Sequence, residues 1–302
     1  MKKIIPFLCI VFLLFGCSAK KEVEQADSIQ VVTSFYPIYI FAINVAENSP
    51  AIKITNMSQP QTGCLHDYQL TTKDMKLLSN ADILFINGAG MENFLNKAIN
   101  QYTELLVVDT SKNVALIPIE ENHQHEDHEQ EEEQFNSHIW LDVSNAVIQV
   151  ENIKDAFCEI DPQNKVLYEQ NAKNYIQRLQ DLREQIDNVP VAKNKKVAVF
   201  HEGFDYFANM FGFQIQFGIF ADENEQPTAK QLAEAIKQTK KENITIFFVA
   251  DEEGRKIAQT IANETNAEIY FLDPITWGDM QENSYVHAMQ QNIQIVKEAF
   301  SK

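Results

Sequence analysis

The chain has 302 residues, 45% of them hydrophobic and 23% charged, and its formal net charge is −18. This length and hydrophobic content suffice for one large or two medium-sized domains with real cores. The negative charge argues against nucleic acid or an anionic lipid surface as a partner, and it suits a protein that attracts cations.

The N-terminus has the pattern of a secretory signal peptide, which we assign to residues 1–16. Two lysines precede an apolar run from Ile4 to Phe15, whose length of roughly 18 Å is too short for a hydrocarbon core of about 30 Å. The following Leu14-Phe15-Gly16-Cys17 resembles a bacterial lipobox. We therefore predict a lipid on Cys17, a polar tether over residues 17–28, and anchoring to the outer face of the cell membrane. The alternative is an ordinary signal peptide with a chance cysteine.

The first half of the mature chain alternates short apolar runs with helical patterns. The predicted strands are Ile29–Thr33, Ala51–Asn56, Asp82–Asn87 and Leu105–Asp109. The predicted helices are Ile38–Ala46, Thr71–Ser79 and Met91–Gln101. Strands that alternate with helices predict a parallel, doubly wound sheet.

The same alternation returns in the second half. The predicted strands are Lys196–Phe200, Phe213–Phe217, Ile244–Ala250 and Glu268–Leu272. The predicted helices are Phe204–Met210, Thr228–Lys240, Glu253–Thr265 and Tyr285–Phe300. Between the halves, Pro162–Val189 has apolar residues at three- and four-residue spacing, and Pro190 ends this long helix.

The predicted fold is therefore α/β, with two doubly wound α/β lobes joined by one long rigid helix. The N-terminal lobe covers residues 29–161, the connecting helix residues 162–189, and the C-terminal lobe residues 190–302. Doubly wound sheets bind ligands beyond the carboxyl ends of their strands. We therefore expect the ligand site in the cleft between the lobes.

Three of the seven histidines, His123, His125 and His128, lie in an acidic loop at residues 120–134. This segment has eight carboxylates, no basic residue and no hydrophobic period, which predicts a solvated loop. Imidazoles among carboxylates bind borderline cations weakly and exchange them fast. We interpret the loop as an accessory metal-collecting segment, and the alternative is an acidic surface loop without a metal role.

Four further residues stand in loops or directly after predicted strands: His66, His138, His201 and Asp273. Taken alone, each of these histidines is more typical of a hydrogen-bonded structural residue than of a metal ligand. Asp273, taken alone, is more typical of a turn or of a helix cap.

The motifs around these residues, in their order and spacing, resemble a known family. They are Ser34-Phe-Tyr-Pro-Ile38, His66-Asp-Tyr-Gln-Leu70, Asp82-Ile-Leu-Phe-Ile-Asn-Gly88, His138-Ile-Trp-Leu-Asp142, Asp161-Pro-Gln-Asn164, His201-Glu-Gly-Phe-Asp-Tyr-Phe207, Asp273-Pro274 and the closing-helix residues Tyr285, Met289 and Asn292. Over nearly the whole mature chain they resemble the metal-specific solute-binding proteins of bacterial zinc and manganese ABC importers. The resemblance implies that the metal ligands are His66, His138, His201 and Asp273, and that the ion is delivered to a membrane permease. We expect a monomer.

The ligand types predict which ion is transported. Three imidazoles and one carboxylate favour Zn²⁺ at distances of about 2.0–2.2 Å, whereas Mn²⁺ prefers more oxygen donors and lies below zinc in the affinity order. Relatives that prefer manganese usually have a glutamate where His201 stands. Glu202 keeps the manganese alternative open, because a shift of one residue in the turn would offer its carboxylate.

The closed set of four ligands predicts a binding protein and not an enzyme. A zinc hydrolase, the enzymatic alternative, typically has three protein ligands and an open position for water, and the sequence has no His-Glu-x-x-His motif. A surface adhesin is a further alternative, since nothing in the sequence separates adhesion from import. Whether Cys64 and Cys158 pair is open at this stage.

Overall fold

The computed structural model describes residues 28–58, 65, 68–119, 135–191, 195–219 and 227–301. The first sheet has four parallel strands in the order β2-β1-β3-β4. These strands are β1 (Ile29–Thr33), β2 (Ile52–Asn56), β3 (Ile83–Ile86) and β4 (Leu106–Asp109). The α-helices described in this half are α1 (Tyr36–Val45), α2 (Thr72–Leu78), α3 (Asn96–Ile99) and α4 (Val143–Ile160).

The second sheet repeats this topology, with parallel strands in the order β6-β5-β7-β8. These strands are β5 (Lys196–Val199), β6 (Gln214–Gly218), β7 (Ile246–Val249) and β8 (Glu268–Phe271). The long helix α5 (Lys165–Asp187) joins the halves, and the later helices are α6 (Phe204–Phe211), α7 (Ala229–Glu242), α8 (Glu252–Ala262) and α9 (Ser284–Ser301). The strand order reverses between β1 and β3 and again between β5 and β7, which are the points where such sheets bind ligands.

Local sequence signals begin and end the helices. At the start of α2, the Thr71 side chain accepts a hydrogen bond from the Asp74 amide, and the Asp74 carboxylate accepts one from the Thr71 amide. Thr228 and Gln231 form the same capping box at α7, and such boxes satisfy amides that have no partner inside the helix. Helix α7 ends at Asn243 in the left-handed conformation, which asparagine tolerates better than most residues.

One hydrophobic core fills the space between the two sheets. Because side chains alternate along a strand, Val31 of β1 and Val197 of β5 point into this common core, whereas Val32 and Ala198 join separate clusters on the outer faces. Helix α5 packs against α1 and α4 of the first half and against α6 and α9 of the second. A wide movement of one lobe relative to the other would therefore expose apolar surface.

The predicted fold of two doubly wound α/β lobes and a long connecting helix is confirmed. All eight predicted strands are present, with bounds that differ by at most two residues. The predicted helix Met91–Gln101 is wrong in its extent, because a 3-10 turn at Asn93–Leu95 and the single turn of α3 replace it. Helix α4 is absent from the predicted elements, although its buried residues recur at helical spacing: Val143, Ala146, Val150, Ile153 and Phe157.

Several predictions concern parts of the chain outside the described residues. These parts are the signal peptide, nearly all of the tether and the acidic loop at 120–134. The limits of the lobes, 29–161 and 190–302, also stay predictions. Within the described ranges, no helix combines the length and the apolar character needed to cross a membrane.

Candidate metal centre

His138 lies at the junction between a loop and the helix that follows it. It precedes a 3-10 turn at Ile139–Leu141, and Asp142 then caps α4 by accepting a hydrogen bond from the Ser144 amide. The His138 residue is 1% exposed, and its ring contacts the indole of Trp140 with centroids 5.1 Å apart. The buried turn therefore holds this imidazole in one place.

His201 comes from the other lobe, two residues beyond the end of β5. This position lies at the switch point between β5 and β7, beyond the carboxyl ends of the strands. The His201 ring meets the His138 ring edge-to-face, with centroids 5.2 Å apart and planes at 84°. The ring of Phe204 also contacts His201, with centroids 5.5 Å apart. One imidazole from each lobe thus lies between the lobes.

Gly203 is needed for space between these two rings. A Cβ atom at this position would lie 2.6 Å from His138 Cδ2, 2.8 Å from His138 Cγ and 3.1 Å from His201 Cε1. The backbone angles of Gly203, φ −68° and ψ −7°, are open to any residue. The requirement for glycine is therefore steric and not conformational.

Hydrogen bonds indicate different tautomers for the two histidines. The Nδ1 atom of His138 is 3.1 Å from Asn136 Oδ1, and this oxygen also accepts the backbone N–H of His138 at 3.0 Å. The proton therefore lies on Nδ1 of His138, and Nε2 has the lone pair that a metal requires. In His201, Nδ1 accepts the N–H of Gly203 at 3.0 Å, so the neutral ring has its proton on Nε2.

Metal binding at His201 therefore requires a local change. A metal at Nε2 of His201 would move the ring proton to Nδ1, which would then face the N–H of Gly203, and two donors cannot share a hydrogen bond. The turn at residues 201–203 has to shift for that bond to break. In contrast, the tautomer of His138 already suits ligation through Nε2.

Glu202 brings a carboxylate close to the same pair. Its Oε1 atom lies 3.9 Å from Nε2 of His138, and its side chain is 50% exposed. The turn after β5 therefore presents both an imidazole, from His201, and a carboxylate, from Glu202, near His138. This geometry bears on the choice between zinc and manganese that the sequence leaves open.

Asp273 follows β8 and is held by helix α9. Its N–H donates to Asn292 Oδ1, and its carbonyl accepts from Asn292 Nδ2, both at 2.8 Å. Burial raises the pKa of the Asp273 carboxyl, and the Ile275 N–H, which donates to Oδ1 at 2.7 Å, opposes this shift. A bound cation would favour the ionised carboxylate that burial disfavours. The next residue, Pro274, accepts the indole N–H of Trp140 at 2.8 Å, which ties this loop to the N-terminal lobe.

The structure brings His138 and His201 together but does not complete the predicted set of ligands. Among the described residues, no three His, Cys, Asp or Glu side chains form a group that could hold a metal ion, so Asp273 does not join the histidine pair in this way. His66 lies outside the described residues, next to the fully buried Leu65. Four other predicted site residues also lie outside: His123, His125, His128 and Cys17. The ligand set therefore stays a prediction.

Two residues beside the pair, Asn136 and Gly203, are absent from the predicted site. Each lies two residues from a histidine, at a spacing where a side-chain amide or a backbone N–H reaches the ring. That spacing is the signal that could have identified them. The role of Asn292 has no such local signal, because it contacts Asp273 across 19 positions through the packing of α9.

Comparison with protein families matches the chain over residues 31–299 to the ZnuA family, described as the periplasmic component A of the zinc-uptake complex. This match spans both sheets and includes His138 and His201. The chain belongs to this family. The resemblance to solute-binding proteins of zinc and manganese importers is therefore confirmed, and the extracytoplasmic location predicted from the sequence agrees with a periplasmic family.

Relatives in the ZnuA family carry the names of two different ions. The manganese-binding lipoprotein MntA of Halalkalibacterium halodurans is 26% identical over 307 residues, which cover 97% of each chain. The zinc-binding lipoprotein AdcA of Streptococcus pneumoniae is 26% identical over 312 residues, which cover 99% of this chain but 61% of AdcA. The names of these relatives therefore do not decide between zinc and manganese.

A solved structure shows the same fold. The crystal structure of the Zn(II)-bound ZnuA-like domain of Streptococcus pneumoniae AdcA matches with a TM-score of 0.75 and 24% identity. The match covers 91% of this chain and 100% of that domain. The fold of this chain is thus shared with that domain.

Proposed function

We propose that this protein is the extracytoplasmic substrate-binding protein of an ABC importer, and that it captures Zn²⁺ and delivers it to a membrane permease. The observation that supports this proposal is the pair of His138 and His201, because imidazoles from two different lobes lie with centroids 5.2 Å apart. Membership in the ZnuA family and the metal-binding names of its relatives agree with it. A lipid on Cys17 would keep the protein at the membrane, where the permease lies.

The ligands in this proposal are His66 and His138 from the N-terminal lobe, and His201 and Asp273 from the C-terminal lobe. Three imidazoles and one carboxylate are the donors that zinc prefers at a four-coordinate site. Four protein ligands leave no position for a reactive water, which suits binding and release and not catalysis. The accessory loop with His123, His125 and His128 would collect zinc weakly.

Calorimetric competition between zinc and manganese, on the wild type and on His201→Ala, tests the proposal. We expect tight one-to-one zinc binding and weaker manganese binding in the wild type. His201→Ala should weaken zinc binding by more than the roughly 10–100-fold that loss of an outer partner costs. Zinc affinity should also fall steeply below about pH 6, because zinc must displace imidazole protons.

The matched control for this experiment is His287→Ala, which removes an exposed imidazole on α9. It should change neither zinc nor manganese affinity. Comparable affinities for the two ions in the wild type would contradict the choice of zinc.

A manganese-binding protein of the same type is the second candidate, and the position of Glu202 favours it. Its Oε1 atom, 3.9 Å from His138 Nε2, supplies the oxygen donor that manganese prefers. Glu202→Gln distinguishes the two ions. If manganese is the cargo, Glu202→Gln should abolish its binding, whereas the four proposed zinc ligands are unaffected by this change.

A further inference from the structure

The main chain of Asn136 connects the two lobes beside the histidine pair. Asn136 is 6% exposed and follows an antiparallel bridge between Pro118 and Phe135. Its N–H donates to Ile117 O at 2.8 Å, and its carbonyl accepts from the Tyr206 hydroxyl of α6 at 3.0 Å. Asn136 is thus tied to the first lobe through Ile117 and to the second lobe through Tyr206.

The side chain of Asn136 makes a second connection. Its Oδ1 atom accepts the backbone N–H of His138 at 3.0 Å and lies 3.1 Å from His138 Nδ1. Its Nδ2 atom donates to Glu202 O and to Asp205 Oδ2, both at 3.0 Å. One amide therefore joins His138 of the N-terminal lobe to the turn that contains His201 in the C-terminal lobe.

The neighbours of this amide determine its orientation. The backbone N–H of His138 can only donate, whereas the Glu202 carbonyl and the Asp205 carboxylate accept. Only the orientation with Oδ1 towards His138 satisfies all three groups. Because Oδ1 is an acceptor, Nδ1 of His138 has to be the donor, and the ring lone pair lies on Nε2.

We propose that Asn136 is a positioning residue of the metal site, which holds His138 in the tautomer that ligates through Nε2 and couples its position to the His201 turn. The inference rests on the proposed role of these two histidines as ligands, and it gives Asn136 no role as a ligand. Outer partners of metal-bound histidines fix the ring orientation and tautomer, and their loss typically costs about 10–100-fold in metal affinity. Asn136 does more than orient the His138 ring, because the same amide also donates to the carbonyl of Glu202, the residue after His201.

Variants at Asn136 and Asp205 separate the two roles of the amide, which are to accept from His138 and to donate to the C-terminal lobe. Asn136→Ala removes both the acceptor for His138 and the donor to the other lobe. Asn136→Asp keeps an acceptor for His138 but turns an oxygen towards the Asp205 carboxylate. Adding Asp205→Asn to this variant returns a donor to the pair, and Asp205→Asn alone completes a double-mutant cycle.

The tautomer of His138 is read from its ring ¹⁵N chemical shifts in metal-free protein, and zinc affinity from competition with a chelator. The wild type should show a protonated Nδ1. Asn136→Ala should populate the other tautomer and weaken zinc binding by roughly 10–100-fold. Asp205→Asn should strengthen zinc binding in the Asn136→Asp background, where it relieves repulsion, but not in the wild type.

Two results would overturn the role of Asn136. One is a folded Asn136→Ala variant with the wild-type tautomer and zinc affinity, and the other is an equal effect of Asp205→Asn in both backgrounds. If Asn136→Ala fails to fold, as judged by circular dichroism, the double-mutant cycle of Asn136→Asp and Asp205→Asn tests the role of Asn136 by itself. If the zinc proposal itself is wrong, the wild type will lack tight zinc binding. The tautomer of His138 in metal-free wild type and Asn136→Ala would still test the role of Asn136.

Discussion

Gly203 leaves room for the two imidazoles because it has no side chain. Alanine would place a methyl group 2.6 Å from His138 Cδ2, so at least one ring would have to move. We expect Gly203→Ala to weaken zinc binding by roughly 10–100-fold, as other losses of ligand orientation do. The clash with the buried His138 ring should also lower the melting temperature, since overpacking costs about 1–3 kcal/mol, although φ −68° itself suits alanine. Chelator competition measures the affinity and thermal unfolding the stability.

Gly212→Ala is the matched control for this substitution. Gly212 ends α6 in the left-handed conformation, with φ +82°, and no atom lies within 4 Å of its Cβ position. Alanine there should cost about 1 kcal/mol of stability through backbone strain and leave zinc affinity unchanged. Normal zinc binding by Gly203→Ala would show that His138 and His201 are not the ligands.

Glu92 is a buried carboxyl in the N-terminal lobe, with 4% exposure. Its two oxygens accept the N–H groups of Asn87 and Gly88 at 2.8 and 3.0 Å. Burial raises the pKa of Glu92 from 4.5 to about 7, and these hydrogen bonds oppose the shift only in part. The loop after β3 therefore depends on a group that changes its charge near neutral pH.

The raised pKa of Glu92 predicts a loss of stability with rising pH. The folded state binds this proton more tightly than the unfolded state, so the unfolding free energy falls as the pH rises from 4.5 to about 7. At 1.36 kcal/mol per pKa unit the loss is about 3 kcal/mol at most. Glu92→Gln removes the titrating group, so the free energy of unfolding should depend less on pH. Urea unfolding with a chelator present measures this dependence.

The control for this titration is Glu298→Gln, at an exposed position of α9. It should keep the pH dependence of the wild type. If Glu92→Gln and Glu298→Gln had the same pH dependence, the carboxyl of Glu92 would not have the raised pKa.

At the scale of elements, the residues that flank the acidic loop on both sides are described by the structure and contact each other. Pro118 pairs with Phe135, and the N–H of Asn136 donates to Ile117 O at 2.8 Å. The two ends of the loop are thus joined independently of the residues between them. The contacts that orient His138 begin only at Asn136, after the loop.

Deletion of residues 124–133 should leave one tight zinc site and remove only weaker additional sites. The physical reason is that neither the bridge between Pro118 and Phe135 nor the contact between His138 and His201 involves a residue of this segment. Calorimetric stoichiometry with excess zinc measures the change, and the wild type provides the reference. Loss of the tight site with the loop would mean that the proposed ligands are wrong.

Helix α4, which is absent from the predicted elements, contributes to the core and packs against the connecting helix. Its residues Val150 and Phe157 are buried in the core that both lobes share, and α4 packs along α5. The connecting helix α5 is therefore packed along α4 of the N-terminal lobe and is not isolated in solvent.

At the scale of the whole molecule, the shared core restricts how the two lobes move relative to each other. Phe41 of α1 packs edge-to-face on Tyr285 of α9, with centroids 5.0 Å apart, and the Tyr285 hydroxyl donates to Trp140 O at 2.7 Å. Opening the cleft widely would break these buried contacts. If His201 is a metal ligand as proposed, the rearrangement that its ligation requires is instead local to the turn at 201–203.

We therefore expect small tilts and a local change, and not wide closure. Small-angle scattering should give the same radius of gyration for chelator-treated and zinc-loaded protein. Amide exchange at Gly203 should become faster when zinc binds, because its N–H loses the hydrogen bond to His201 Nδ1, while helix α5 stays unchanged as an internal control. A marked decrease in the radius of gyration on zinc binding would contradict this expectation.

The sequence by itself determined the alternation of strands and helices, the helix caps and the motifs that identify the family. Each of these features depends on residues close together in the chain, so spacing and residue type suffice to recognise them. Only the tertiary structure decided that His138 meets His201, that Asn136 connects both lobes, and that one core fills the space between the sheets. These contacts join residues as far apart as the 70 positions between Asn136 and Tyr206. They depend on how the two sheets pack around α5, which no local pattern encodes.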